Sequence, residues 1–314
     1  MSPKVAFAAR ILFAAGAFLL LFYFVPVSQI AGVLAGVELR WCALGFGFQL
    51  LMRFVACIRL RVVAESQGIE VDRQTLFRIL LAAHYYSMLL LGPLTGGGVT
   101  WLKLVQRGAS RSAAVATVVL NRGFLLIFGT GAGLVAWSLD RPEPGSQVSV
   151  LAAMAGAFAI GLPFVRLPLA ASREAGPDAP RASWPSRIAR RLGEFQRVPP
   201  ADRWAVLLAS LAQESVAGGV LWCFARAVGL ELDYLSAIWI QAALRVALML
   251  PFTIAGLGLR EATLIGMGAA LGVPATQAAA WSLVLTAGSF AVAALGGWVE
   301  SGAVVPDPDR ETET

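Results

Sequence analysis

The sequence predicts an all-α polytopic membrane protein, with about six spanning helices and two re-entrant helical hairpins arranged as an inverted repeat. Three observations carry this reading. The 314 residues are 58% hydrophobic and 14% charged, with a mean hydropathy of +0.72, and several apolar runs approach or exceed the roughly 20 residues that cross a bilayer. Two segments within such runs are broken by proline and glycine: Gly92-Pro-Leu-Thr-Gly-Gly-Gly-Val-Thr-Trp-Leu-Lys103 and Pro251-Phe-Thr-Ile-Ala-Gly-Leu-Gly-Leu-Arg-Glu261. The net charge of +6 rests almost wholly on arginine, and the arginines gather at particular ends of the apolar runs.

Basic residues that flank hydrophobic spans point to membrane topology and anionic headgroups rather than to nucleic acid. Cys42, Cys57 and Cys223 fall in apolar runs without CxxC spacing, and His84 is the single histidine. Neither disulfides nor a zinc site is indicated, and no cofactor motif is present.

The first run, Val5 to Val27, lies behind Lys4 and reads as a retained helix rather than a signal peptide. A second helix is expected from about Trp41 to Ile58, followed by Arg59, Arg61, Arg73 and Arg78, which places both flanks in the cytoplasm. Ser28 to Arg40 is then an outer connection. If the next run crossed the membrane at its glycine-rich break, the loop at 166–203 would fall outside. That loop carries Arg166, Arg173, Arg181, Arg187, Arg190, Arg191, Arg197 and Arg203, a severe breach of the positive-inside rule.

The breach disappears if residues 79–102 dip in from the cytoplasm and return, as irregular backbone does when protein surrounds it. Helix Ser112 to Leu139 then leads out, 140–145 forms an outer turn, Val148 to Val165 leads back, and the arginine-rich loop is cytoplasmic. Within that loop Ser183 to Arg203 has helical spacing of Trp184, Ile188, Leu192 and Phe195 among arginines, as an interfacial amphipathic helix would. Helix Trp204 to Val228 leads out to Glu231 and Asp233, residues 235–259 form a second dip from the outer face, and helix Gln277 to Trp298 returns. Both termini are thus expected in the cytoplasm of a bacterial inner-membrane protein, and the polar tail at 305–314 is expected to be disordered. Trp41, Trp137, Trp204 and Trp298 fall at span ends as an aromatic belt.

Two halves follow, 1–145 and 146–304. Pro93-x-Thr-x-x-Gly98 matches Pro251-x-Thr-x-x-Gly256, and Gly108-Ala-Ser-Arg is echoed by Gly272-Val-Pro-Ala. The expected hinges are Pro93, Gly96, Gly97 and Gly98 in the first half and Pro251, Gly256 and Gly258 in the second. Inverted repeats of this kind place a substrate near the midplane, where broken segments meet.

The ionisable residues within the spans are few: Arg53, Arg122, Glu214 and Arg245. Each costs on the order of 2.5–3.5 kcal/mol at a helix centre, so all are expected to face the bundle interior. Two readings stand: salt bridges that hold the bundle together, or a cationic pocket whose guanidinium forks suit phosphate. Thr95, Thr100 and Thr253 offer hydroxyls to a ligand or caps to helices. Lys103 and the Arg260–Glu261 pair sit at corresponding places at the two dips, as alternating gates or as interfacial anchors. His84, beside Tyr85 and Tyr86, is either a proton-coupling group or a hydrogen-bonded core residue.

These two series, the first running from Gly92 to Asn121-Arg122 and the second from Leu250 to Glu261 and on to Leu271-Gly-Val-Pro274, resemble the lysylphosphatidylglycerol synthase transmembrane (flippase-like) family. The resemblance runs from about Arg40 to Trp298 and implies a membrane region that binds or translocates lipids, with Arg122, Pro251, Gly256, Gly258, Arg260 and Glu261 as motif positions. Val99 and Thr100 stand where many relatives carry an acid, and the soluble aminoacyl-transferring domain of the synthases is not expected in this chain, nor is lipid aminoacylation by the chain alone.

The expected function is a lipid transporter or flippase-like protein, not an enzyme, that moves or binds a lipid with an anionic headgroup in a cationic midplane groove. No nucleotide-binding motif is present. The alternatives are a membrane-embedded transferase or phosphatase acting on lipid-linked substrates, and a scaffold for a soluble lipid-modifying enzyme.

Overall fold

The computed structural model describes residues 27–90, 93–140, 199–248 and 258–302. They form nine helices and no strand: α1 (Val27–Ala35), α2 (Leu39–Ser66), α3 (Arg73–Leu89), α4 (Pro93–Gln106), α5 (Arg111–Asp140), α6 (Pro200–Ala227), α7 (Tyr234–Leu248), α8 (Leu259–Ala270) and α9 (Ala275–Gly302). The expected first helix, the run at 148–165, most of the arginine-rich loop with its amphipathic segment, and the tail lie outside the described residues. So does the second break, 249–257, with Pro251, Thr253 and Gly256.

Four helices, α2, α5, α6 and α9, are 28 to 30 residues long and apolar enough to cross a membrane. At about 1.5 Å per residue each reaches roughly 42–45 Å, enough for a hydrocarbon core of about 30 Å with a turn or more in each interface. The protein is a multi-pass membrane protein. The remaining helices are shorter: α3 has 17 residues, α4 14, α7 15 and α8 12, each below the length that spans.

The short helices come in two packed pairs. In the first, α4 folds back along α3. Near the bend Gly96 lies against Ala83 and Ser87, and at the open end Arg107 Nη1 donates to Thr75 Oγ1 at 3.2 Å, so entry and exit share one end of the bundle. Asp72 caps α3 there, its carboxylate accepting from the Thr75 amide at 2.9 Å, and hydrogen bonds from Thr75 hold this carboxyl below its usual range. The second pair opens at the other end. Asp140, which closes α5, accepts from Ser236 and Trp239 near the start of α7, while α8 turns within 271–274 into α9. The start of α9 lies beside the end of α6, with Trp281 Nε1 donating to the Leu221 carbonyl at 3.0 Å.

Several expectations are corrected. The connection expected at 28–40, mildly amphipathic in sequence, contains a helix, α1, which adds to that expectation without overturning it. Helix α2 does not stop at Ile58 but runs to Ser66, carrying Arg59 inward. The glycine triplet is not the tip of the first dip. The first helix of the pair ends at Leu89, and Gly96, Gly97 and Gly98 all lie within α4, where proline at the first position is compatible with the helix. Trp137 is 3% exposed and belongs to the core rather than to an aromatic belt, whereas Trp204 and Trp298 are 62% and 75% exposed.

The echo of Gly108 by Gly272 also has a local cause. Both are left-handed residues, φ +91° and +74°, that end α4 and α8 with the same pair of backbone bonds. Gly68 and Gly229 end α2 and α6 in the same way, so this match is a helix stop rather than a mark of duplication.

The helices touch closely where side chains are smallest. A Cβ on Gly296 of α9 would run into the Leu81 carbonyl group and stand 3.2 Å from Tyr85 Cβ, so α9 and α3 meet nearly backbone to backbone. By contrast, nothing lies within 4 Å of a Cβ on Gly131. Gly296→Ala is therefore expected to lower the unfolding temperature in detergent by several degrees. Gly131→Ala, which removes a flexible residue from a helix interior, is expected to leave it unchanged or raise it, by about 0.5–1 kcal/mol at most. Equal effects in thermal unfolding of the two variants would refute the close α3–α9 contact.

Candidate functional site

Helices α2 to α8 converge on a cavity of about 330 Å³. Five arginines line it: Arg53 and Arg59 from α2, Arg122 from α5, Arg245 from α7 and Arg260 from α8. His84, Ser87, Thr100, Asn121, Gln213 and Gln241 complete its polar wall, and no carboxylate lines it among the described residues. At about 30 Å³ per water the space holds on the order of ten waters, enough for a phosphorylated headgroup but not for acyl chains.

Each guanidinium has its own support. Arg53 Nη2 donates to His84 Nδ1 at 2.9 Å, and the other ring nitrogen, Nε2, lies 3.1 Å from the Ser289 carbonyl of α9. A guanidinium can only donate and a carbonyl can only accept, so the ring is the neutral tautomer with its proton on Nε2. Both nitrogens of His84 are thus committed, which matches a hydrogen-bonded core residue. Arg59 is 1% exposed, and its Nε donates to Asn121 Oδ1 at 2.9 Å. Arg122 lies flat on α4, where a Cβ on Gly97 would stand 3.0–3.1 Å from its guanidinium. Gly97 of the triplet therefore makes room for a charge rather than for a bend.

Arg245 forms an ion pair with Glu214 of α6. Glu214 is fully buried, and the pair presses on Gly129 of α5, whose Cβ would collide with Arg245 and stand 2.9 Å from Glu214 Oε2. At the mouth of α8, Arg260 Nη1 donates to Thr286 Oγ1 at 3.2 Å. Its neighbour Glu261 turns back to cap its own helix. One oxygen accepts from the Gly258 amide at 2.6 Å, and the other from Ser282 and Thr286 at 3.2 and 3.4 Å. Gly258 takes φ +84° at this cap, a conformation that glycine alone adopts readily.

The residues expected from sequence thus divide. Arg53, Arg122, Arg245 and Arg260 line the cavity, and Glu214 and Glu261 stand behind it as counter-charges. Thr100 lines it but returns its hydroxyl to the Gly96 carbonyl at 2.8 Å, and half-buried Thr95 is not part of the wall. Lys103 is elsewhere, paired at 2.7 Å with Glu300 at the end of α9. Of the hinges, Gly96 and Gly97 line the cavity, Gly98 is exposed, and Pro93 starts α4.

Arg59 and Gln241 were not expected in the site. Arg59 reads as one of a cytoplasmic row with Arg61, Arg73 and Arg78. The signal against that is the continuation Leu60, Val62, Val63 and Ala64, an apolar pattern that does not stop at Ile58.

The Glu214–Arg245 pair has a measurable signature. Removing one partner strands a buried charge at a cost of about 3–5 kcal/mol, while replacing both with neutral residues of similar volume costs far less. Arg245→Met alone is expected to destabilise the protein in detergent more than the double variant Glu214→Gln/Arg245→Met. Additive effects in a double-mutant cycle of unfolding would refute the pairing.

No curated protein matches the chain at significant similarity. A family model does match, over residues 7–297, which is nearly the whole sequence. The chain with this arginine-lined cavity belongs to the family described as the lysylphosphatidylglycerol synthase TM region.

Proposed function

We propose that this protein is a flippase-like transporter of the bacterial inner membrane that takes the anionic headgroup of a lipid into the cationic cavity while the acyl chains stay in the bilayer. The observation that carries the reading is the convergence of five arginines on one headgroup-sized space between membrane-grade helices. Only Glu214 and Glu261 stand beside them as buried counter-charges among the described residues. Arg59 and Arg260 are buried and Arg53, Arg122 and Arg245 partly buried; holding five cations against two carboxylates within a membrane is costly unless a ligand offsets them, and guanidinium forks match phosphate oxygens. Family membership, with its link to lipid metabolism, supports the same conclusion.

The two short-helix pairs, which open at opposite ends of the bundle, act in this proposal as re-entrant segments of an inverted repeat, with both termini cytoplasmic. Alternate opening of the two ends around the cavity moves the headgroup across. Transport rather than chemistry is favoured because His84 has both nitrogens committed and no carboxylate faces the space among the described residues. A phosphatase or transferase needs a positioned base or nucleophile. A soluble lipid-modifying enzyme is a natural partner, supplying or consuming the lipid.

The test is reconstitution into vesicles with fluorescent lipids of differing headgroup. Wild type is expected to move an anionic lipid, and Arg122→Ala and Arg245→Ala to lower the rate at least tenfold in folded protein. Arg61→Ala, which breaks only the exposed pair with Glu65, is expected to stay within about twofold. If folded wild type moves no lipid of any class, the transporter reading fails. Orientation has a separate test, after replacement of Cys42, Cys57 and Cys223. Arg107→Cys is expected to resist an impermeant reagent applied to whole cells and Glu231→Cys to react with it. The reverse pattern would invert the assigned topology.

A further inference from the structure

The polar wall of the cavity is made of cations and neutral groups. Arg53, Arg59, Arg122, Arg245 and Arg260 line it, and arginine keeps its charge when buried. Two buried carboxylates stand beside them, and the protein itself uses both. Glu214 is held by Arg245. Glu261 gives one oxygen to the Gly258 amide and the other to Ser282 and Thr286. Neither carboxylate lines the space. Apart from Arg245, the polar side chains that reach it from α6 and α7 are amides: Gln213, beside Glu214, and Gln241, one turn before Arg245. Residues 249–257, which connect α7 to α8, include no acid.

We propose that this cavity accepts a phosphodiester whose alcohol is uncharged and rejects one that carries an ammonium group, whether zwitterionic or aminoacylated, with Gln213 and Gln241 as the residues that set this specificity. A phosphate that enters exchanges water for guanidinium donors. An ammonium that enters gives up its water, meets charges of its own sign on several sides, and is offered only neutral oxygens by the described wall. In an ethanolamine headgroup the ammonium is two carbons from the ester oxygen, so it cannot stay outside while the phosphate goes in. Gln213 and Gln241 are where the wall is polar without being charged, and a glutamate there supplies the counter-charge that an ammonium needs. The description of the family names an aminoacylated lipid, and this wall has the wrong sign for the amino groups of that lipid.

This inference deepens the transporter reading and rests on it where the ligand is a lipid; the same charge rule applies to a soluble phosphodiester. The test therefore has two arms. In vesicles at neutral pH, wild type is expected to move chain-labelled phosphatidylglycerol and N-acetyl-phosphatidylethanolamine about tenfold faster than phosphatidylethanolamine with the same chains. N-acetylation enlarges the headgroup while removing its ammonium, so a filter based on size gives the opposite order. Gln241→Glu is expected to raise the rate for phosphatidylethanolamine relative to its N-acetyl form by about threefold. In detergent, glycerophosphoglycerol is expected to raise the unfolding temperature of wild type by several degrees more than glycerophosphoethanolamine at equal ionic strength, and Gln241→Glu to narrow that gap.

If phosphatidylethanolamine moves as fast as its N-acetyl form, the charge rule is refuted while transport stands. If no lipid moves but glycerophosphoglycerol stabilises wild type more than glycerophosphoethanolamine does, and Gln241→Glu narrows the gap, the rule holds for a soluble phosphodiester and the transporter reading falls. If no lipid moves and the two soluble compounds act alike, both fall. A Gln241→Glu gap equal to that of wild type removes the assigned role of Gln241. Should Gln241→Glu fail to fold, Gln213→Glu takes its place, and the comparison of phosphatidylethanolamine with its N-acetyl form needs no variant.

Discussion

Arginine keeps its charge inside a protein, and the architecture of this bundle follows from having to hold five such charges around one space between apolar helices. None of them can be relieved by losing a proton, so each must be met by an acceptor, a counter-charge or a close surface. Glu214 meets Arg245, Thr286 meets Arg260, Asn121 meets Arg59 and the His84 ring meets Arg53. The surrounding helices are placed by these demands as much as by apolar packing. Gly97 and Gly129 are vacated so that guanidinium groups can lie on α4 and α5.

This arrangement explains why glycine is informative here in a different way from its first reading. In the sequence, three successive glycines beside a proline look like a chain break. In the structure they are helical, and the service of Gly96 and Gly97 is to omit side chains. Gly96 lets Ser87 and the Ala83 carbonyl approach, and Gly97 admits Arg122. Local composition cannot separate a glycine that frees the backbone from one that clears space, because the second role depends on residues far away in the chain. Gly258, with φ +84° at the start of α8, is of the first kind.

Much of the fold was legible from hydropathy and charge. The long helices α5, α6 and α9 begin and end within a few residues of the expected limits, and the segment expected to dip is a folded-back pair of short helices, α3 and α4. Four of the five cavity arginines stand out in the sequence because charge is rare in such runs. Arg59 does not, because it sits in a row with Arg61, Arg73 and Arg78 that reads as the flank of a span, and only the length of α2 shows that it is internal. Lys103 illustrates the opposite error. Its place in the motif suggests the site, yet its partner Glu300 lies 197 residues away at the end of α9, a pairing that no spacing rule reveals.

Helix α9 touches both broken pairs through different chemistry. It takes the Leu81 backbone onto Gly296, accepts the His84 proton on Ser289 and holds Lys103 through Glu300. It also supplies Ser282 and Thr286 to the cap of α8. A helix bonded in this way to both pairs acts as a connecting rod. The same helix that anchors α3 and α4 also fixes the start of α8 across the cavity. Among the described residues the two pairs are thereby linked through a single span.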